Sequence, residues 1–321
     1  MGKTNFQNVT KRKELGGFAR KKWSDRLFLA IIFAFPIVQF LVMYVGVNLN
    51  SILLAFQTYD AKSSSYYFSG LNNFQEVFRI FSGDTFLLGT IQKGMIYYFF
   101  NTFLGMPINL AVAYLLYKKI FAAEFFRTVL FIPSLISSMA MVIMFQNFIN
   151  EGITQMFIDV FHYDVYDVPR FFTDPTIAFP IMIFYNLWIG VGGGMIIYMS
   201  AMSRVPESVI EYGRLEGISL FREFISVIFP MIYPTIALFF VTGLPGLFMG
   251  SGPLYAFYGD KAQPEMQTLA YYLFTRIVGE NASYQQYPFA SAVGLSTTLI
   301  MAPIVFTARK LLDHFDPNVE Y

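Results

Sequence analysis

The chain has 321 residues, of which 55% are hydrophobic, 19% aromatic and 13% charged, with a mean hydropathy of +0.51 and a formal net charge of +1. Soluble domains carry about 25% charged residues, so the composition excludes an ordinary water-soluble fold, and the near-zero charge gives no basis for nucleic-acid binding. Cysteine is absent and histidine occurs only as His162 and His314, which excludes disulfides, thiolate metal sites and cysteine nucleophiles and leaves no metal-ligand spacing.

Residues 1–26 hold eight basic side chains, Lys3, Lys11, Arg12, Lys13, Arg20, Lys21, Lys22 and Arg26, against Glu14 and Asp25. Such a segment is drawn to the anionic cytoplasmic leaflet and sets orientation. The apolar run after it is too long for a cleavable signal peptide and lacks a small-residue cleavage site. Six spans are expected, near 27–49, 94–117, 128–148, 176–200, 226–249 and 289–308. Each reaches the ~20 residues that cross a bilayer core. On these bounds none contains Asp, Glu, Lys or Arg, in keeping with the cost of burying charge in lipid.

The basic residues sort by side. Segments 1–26, 118–127, 201–225 and 309–321 hold sixteen of the 22, while 50–93, 149–175 and 250–288 hold six, alongside eleven acidic residues. The positive-inside rule then places both termini and segment 201–225 in the cytoplasm. The fold class expected is an all-α polytopic membrane protein of six transmembrane helices with cytoplasmic N- and C-termini. Its divisions are a basic segment at 1–26, the first helix with a large external loop at 27–93, a five-helix core at 94–312 and a cytoplasmic tail at 313–321. The external loops are rich in aromatics, among them Tyr66, Tyr67, Phe68, Tyr284 and Tyr287. These suit an interfacial belt, loop packing or contact with an external partner.

Helix-breaking and amide residues crowd several spans: Pro36, Asn101, Pro107, Asn109, Pro133 and, in the fourth, Pro180, Asn186, Trp188 and the run from Gly190 to Gly194. The fifth adds Pro230, Pro234, Gly243, Pro245 and Gly246. Irregular backbone at membrane depth requires cover by protein or a water-filled cavity, and small residues also serve helix contacts. The density in the fourth and fifth spans points to a translocation path between them.

Those two spans flank the one long polar stretch that is also patterned, running from Arg204 to Pro230. Pro206 suits a helix's first turn. Val209, Tyr212 and Leu215 then fall on one helical face, with Glu207, Glu211 and Arg214 on another. Gly217 interrupts the helix, and Leu220, Phe221, Phe224 and Ile225 form the apolar side of a second short one. No phosphate-binding glycine loop, zinc-protease signature or nucleophile elbow occurs in a suitable context. A chain without intramembrane charge has little with which to drive its own uphill transport.

This stretch resembles the conserved cytoplasmic loop of permease subunits of binding-protein-dependent ABC importers, the glutamate-alanine-alanine motif, and more narrowly that of carbohydrate permeases of the maltose type and of Gram-positive oligosaccharide systems. The matching residues are Val205, Pro206, Val209, Glu211, Leu215, Glu216 and Gly217, then Phe224, Ile228 and Pro230. Phe131-Ile132-Pro133 with Ser137, the run Asn186 to Gly190, Thr268-Leu269 with Tyr271-Tyr272, and Ala290-Ser291-Ala292 follow in the family's order, so the likeness covers about residue 90 to the C-terminus. Tyr212 and Gly213 stand where the family has its two alanines, Glu216 replaces an aspartate and Ile218 an alanine. The family's Gly-Gly-Pro element is displaced, with Gly252-Pro253 early.

The resemblance implies a transport subunit, not an enzyme, in the plasma membrane of a bacterium. It implies import of a sugar or oligosaccharide received from an extracellular solute-binding protein, with a second permease subunit and two cytoplasmic ATPase subunits as partners. It implies no cofactor in this chain, ATP and Mg belonging to the ATPase. Glu207, Glu211, Tyr212, Gly213, Arg214, Glu216 and Gly217 are implied to form a short coupling helix and its break between the fourth and fifth spans. Glu207 and Glu211, like charges four apart, cost an isolated helix about 0.2–0.5 kcal/mol, which a cationic partner surface would relieve. For the solute path the resemblance and residue chemistry select Asn186, Trp188 and Gly190, with Gly243, Leu247 and Gly250 placed opposite. An amide bonds hydroxyls, an aromatic face covers a sugar's C–H face and glycine leaves room. The alternatives are a self-sufficient secondary carrier or channel, which calls for intramembrane carboxylates and inverted repeats, and a membrane-embedded enzyme, which calls for clustered interfacial His, Asp or Glu. Neither pattern is found.

Overall fold

The computed structural model describes Trp23, residues 25–280 and residues 282–317. The basic residues up to Lys22, and with them most of the orientation signal, lie outside the described residues, as do residues 318–321. In chain order the elements are α1 (Asp25–Leu54), β1 (Gln57–Asp60), β2 (Ser65–Phe68), α2 (Asn72–Gly83), α3 (Thr85–Tyr117), α4 (Ala123–Leu135), α5 (Ser138–Asp159) and α6 (Pro175–Met202). They continue with α7 (Glu207–Leu215), α8 (Leu220–Gly243), α9 (Gly246–Met249), α10 (Leu254–Tyr258), α11 (Leu269–Val278) and α12 (Tyr287–His314). Among the described residues α1, α3, α6, α8 and α12 are each long and apolar enough to cross a membrane, and a sixth crossing is made if α4 and α5 count as one.

That third span is not the continuous helix expected at 128–148. α4 and α5 meet at 106°. Pro133 removes one helical hydrogen bond, and Ile136 (ψ 144°) and Ser137 (ψ 133°) then run extended before α5 starts. The fifth span is also interrupted: α8 stops at Gly243, Leu244-Pro245 turns the chain, and α9 ends at an extended Gly250. The second span is longer than expected. Asp84 accepts from the Phe86 N–H at 2.8 Å and the Leu87 N–H at 3.4 Å, so the helix starts at Thr85 instead of 94. Lys93 therefore lies inside a membrane-length helix, half-buried, with its Nζ 5.0 Å from the centre of the Phe179 ring in a cation–π contact.

One addition to the all-α expectation is an antiparallel hairpin pairing Gln57 with Phe68 and Tyr59 with Tyr66. Aromatic residues favour a pleated, half-covered surface. Its turn is fixed by Asp60, whose carboxylate accepts from the Lys62 N–H and the Ser63 hydroxyl, both at 2.9 Å. Those bonds lower the Asp60 pKa.

Three apolar clusters stack along the bundle. One, around Ala55, Val77, Leu273 and Val293, joins α2 and α11 to α12 near the hairpin. A second, around Tyr97, Phe145, Met182 and Phe257, fills the middle. The third, around Leu110, Met195, Met202, Ile210 and Ile228, closes the end that carries α7. Close approach of α6 is set by two glycines. A Cβ on Gly192 would lie 2.5 Å from the Leu130 carbonyl oxygen of α4, and one on Gly194 would overlap the Asn109 side chain of α3. Gly190 and Gly193 have open space instead.

Candidate functional site

Two regions hold the residues singled out by the sequence. The first is the knob formed by α7 and the start of α8. Pro206 does not enter the helix; it caps it with extended ψ 132°, and Glu207 is the first helical residue. Gly217 takes φ +68°, a left-handed backbone that L side chains adopt at a cost. It closes the helix in a Schellman arrangement, with the Gly217 N–H donating to Arg214 at 3.0 Å and the Ile218 N–H to Gly213 at 3.2 Å. The accompanying apolar contact explains Gly213: a Cβ there would sit 2.7 Å from Ile218 Cδ1. The small residue at 213 thus makes room for the large one at 218.

The knob is anchored by Val205 and Ile210, both buried. Its expected apolar stripe faces the other way. Tyr212 is 70% exposed, Leu215 84% and Phe221 76%, so the surface that would ordinarily be covered is open. Glu207, Glu211, Arg214 and Glu216 are exposed beside it.

Sequence reasoning missed what holds this knob to the bundle. Glu223 is buried and accepts both hydrogen bonds of a forked contact from Lys118 Nζ, at 2.8 and 3.0 Å. One turn earlier on α3, the Tyr114 hydroxyl donates to the Leu220 carbonyl at 2.9 Å, and its ring lies 5.0 Å from that of Phe224. The available signal was Glu223 itself, the one carboxylate inside an apolar run from Ile218 to Gly243, together with a lysine ending the second span.

The second region is a cavity of about 470 Å³ at the break between α4 and α5, lined among others by Ser134, Ser138, Tyr185, Asn186, Gly252 and Tyr255. Among the described residues no charged side chain lines it. Asn186 Nδ2 donates to Asn101 Oδ1 of α3 at 2.9 Å, which fixes the amide's orientation. Asn101 also opens a π-helical turn, Asn101–Gly105, in α3. Behind Gly252 (φ +56°), a Cβ would meet the Tyr97 ring at 2.8 Å, and the buried Tyr97 hydroxyl has no hydrogen-bond partner among the described residues.

The other path residues are placed differently. Trp188 stands against Phe145 and Tyr185, with ring centres 6.0 and 6.2 Å apart. Gly190 faces open space on the surface of α6. Gly243 lies 3.7 Å, measured from a built Cβ, from the Tyr98 ring, and the Leu247 and Gly250 carbonyls pack over Gly94 of α3. The structure brings Asn186 together with Asn101 and the two serines, and sets Gly243, Leu247 and Gly250 against α3.

The described residues thus form a bundle of membrane-length helices with an exposed helical knob at one end and a cavity at the α4–α5 break. Residues 80–321 match the family described as the binding-protein-dependent transport system inner membrane component, and the chain belongs to that family. It is thus an inner-membrane component of a binding-protein-dependent transport system. The chain is 26% identical over 277 residues to the probable ABC transporter permease protein YesP of Bacillus subtilis, covering 84% of this chain and 86% of that one. It is 23% identical over 312 residues to the diacetylchitobiose uptake system permease protein NgcF of Streptomyces coelicolor, covering 91% and 85%. A bacterial ABC transporter involved in the import of the acidic polysaccharide alginate has the same fold (TM-score 0.73, 17% identity, 92% and 99% covered). So does the alginate transporter solved with its pentasaccharide-bound periplasmic protein (TM-score 0.73, 18%, 92% and 98%).

Proposed function

We propose that this chain is the permease subunit of an ATP-driven importer for a neutral oligosaccharide, with six spans, both termini cytoplasmic, and α7 as the helix that couples it to an ATPase. The observation that carries the solute class is the uncharged lining of the Asn186 cavity, which offers amide and hydroxyl groups but no cation to pair with a uronate or phosphate. NgcF and the alginate transporter bracket the choice between neutral and acidic saccharide, and the lining favours the neutral one. A second permease completes the path, because Asn186 and the serines alone satisfy few of a sugar's hydroxyls. An extracellular solute-binding protein delivers the solute, and two ATPase subunits, carrying ATP and Mg, receive the knobs. On this reading residues 27–93 form the first helix and an outer module, 94–312 form the core, and Glu207, Glu211, Tyr212, Gly213, Arg214, Glu216 and Gly217 form the coupling element. Tyr212, Leu215 and Phe221 offer that ATPase an open apolar surface.

The test is uptake of labelled oligosaccharides by cells with and without this chain, comparing neutral N-acetylated amino-sugar or glucose oligomers with uronic-acid oligomers. Loss of neutral uptake on deletion is expected, with Asn186→Ala raising the half-saturating concentration. Accumulation of only the acidic oligomers, or uptake indifferent to Asn186→Ala for every sugar, overturns the solute assignment.

A further inference from the structure

The knob is joined by the chain to α6 and α8, so its displacement pulls those two spans by covalent continuity. We infer that Lys118 and Glu223 add a third: they clamp α3 to the knob, making the second span the rod that carries the stroke to the Asn186 cavity. This inference rests on the proposed coupling role of the knob.

Three observations converge. The ion pair is buried, with side-chain exposures of 11% for Lys118 and 3% for Glu223, and is doubly hydrogen-bonded, so separating the partners would strand a charge. The contact is reinforced within one turn by Tyr114, through its hydroxyl on Leu220 and its ring on Phe224. A single bond permits pivoting; three contacts over one helical turn fix an angle. Lys118 also ends the same helix that carries Asn101, the partner of Asn186. The separation of Asn101 and Lys118 along α3 is about 25 Å at 1.5 Å per residue. A helix transmits a push along its axis, and the π turn beginning at Asn101 is a local widening where such a push can be taken up as rotation. The clamp and the amide pair thus sit at the two ends of one segment of α3. Lys118 and Glu223 are positioning residues here; neither touches the cavity.

The experiment uses the whole transporter in proteoliposomes, with its partner permease, ATPase and binding protein. The chain lacks cysteine, so spin labels can be placed on Ser208→Cys in the knob, Lys119→Cys in the turn just past α3 and Tyr67→Cys on the distant hairpin, all exposed positions. Distances from Tyr67 to each of the other two are measured without nucleotide and after trapping with ATP and vanadate. If the inference holds, both distances shift together, and the distance between Ser208 and Lys119 stays fixed. A shift of Ser208 with Lys119 stationary overturns the clamp while leaving the coupling reading intact. No shift of either overturns the coupling reading on which the clamp rests.

A second arm removes the charges while keeping the volume, with Lys118→Met combined with Glu223→Leu. The double variant should leave basal ATP hydrolysis in place but lower its stimulation by the binding protein about tenfold, within the ~5–150-fold range of ordinary coupling free energies. The exchanged pair, Lys118→Glu with Glu223→Lys, should recover most of it. Full stimulation in the double variant would show that the pair serves packing alone. Should the double variant fail to assemble, the distance measurements on the otherwise unaltered chain still decide the matter.

Discussion

At the scale of single residues, Gly217 and Gly213 serve different needs. Gly217 needs its left-handed φ, and most L side chains there cost about 1 kcal/mol. Gly217→Ala should therefore raise hydrogen exchange across 207–218 about fivefold, with Gly217→Asn milder because asparagine tolerates that backbone. Unchanged exchange in Gly217→Ala would show that the cap does not hold the knob. Gly213 needs space, because Ile218 Cδ1 already occupies the Cβ position. Gly213→Ala alone should loosen the knob, and adding Ile218→Ala should restore it, a non-additivity of about 0.5–1 kcal/mol. The same exchange measurement reads it, and additive effects would refute the paired-volume account.

Asp174 acts at the far end of the fourth span. Its carboxylate caps α6 by accepting from the Thr176 hydroxyl at 2.7 Å and the Thr176 N–H at 2.9 Å, and these bonds lower its pKa below 3.8. A carboxyl group depressed on folding contributes stability that is complete above its unfolded pKa and is lost as pH falls through the folded value. Its share should thus be flat at neutral pH and disappear below about pH 4. Thermal unfolding of Asp174→Asn should show a shallower acid decline than the parent. Identical acid profiles would remove Asp174 from the titration.

At the scale of elements, the run of glycines in α6 divides by face. Gly192 meets backbone, which does not yield, whereas Gly193 meets nothing. Gly192→Ala should separate α6 from α4 and lower the melting temperature of the purified complex by several degrees, corresponding to about 1–3 kcal/mol for overpacking. Gly193→Ala should leave it unchanged. Equal effects would mean that the run is not read by neighbouring helices. The interhelical amide bond between Asn186 and Asn101 is worth about 0.6 kcal/mol in such a setting, so it orients more than it stabilises.

How much of this was legible follows from which forces are local. Span positions came from hydropathy, and the break at Gly217 came from a glycine placed after a patterned helix. Pro133 marked the third span as irregular, but one residue does not encode a 106° bend, which also depends on what α4 and α5 pack against. Amphipathicity gave α7 two faces without saying which would be covered, and the buried anchor proved to be Ile210. The Lys118–Glu223 pair joins residues 105 positions apart, a distance over which one sequence gives no signal. The path residues divided for the same reason: Asn186 faces a cavity and Trp188 faces Phe145, a difference of helical phase that the neighbours set.

At the scale of the whole molecule, α1 stands apart. None of its most apolar window is buried within the chain, and only its final turns, Val47–Leu54, pack substantially on α12. Lipid satisfies such a helix without fixing its place, and on the proposed pairing with a second permease that subunit would do so. If that pairing holds, the chain expressed alone should be cleared from the membrane faster than when the second permease is co-expressed, as read by pulse-chase. A half-life indifferent to the partner would place α1 in lipid alone. On that pairing the consequence reaches past transport to supply: an uncovered first helix would mark an unmatched subunit, so the two permeases would be kept in step by degradation of whichever is made in excess.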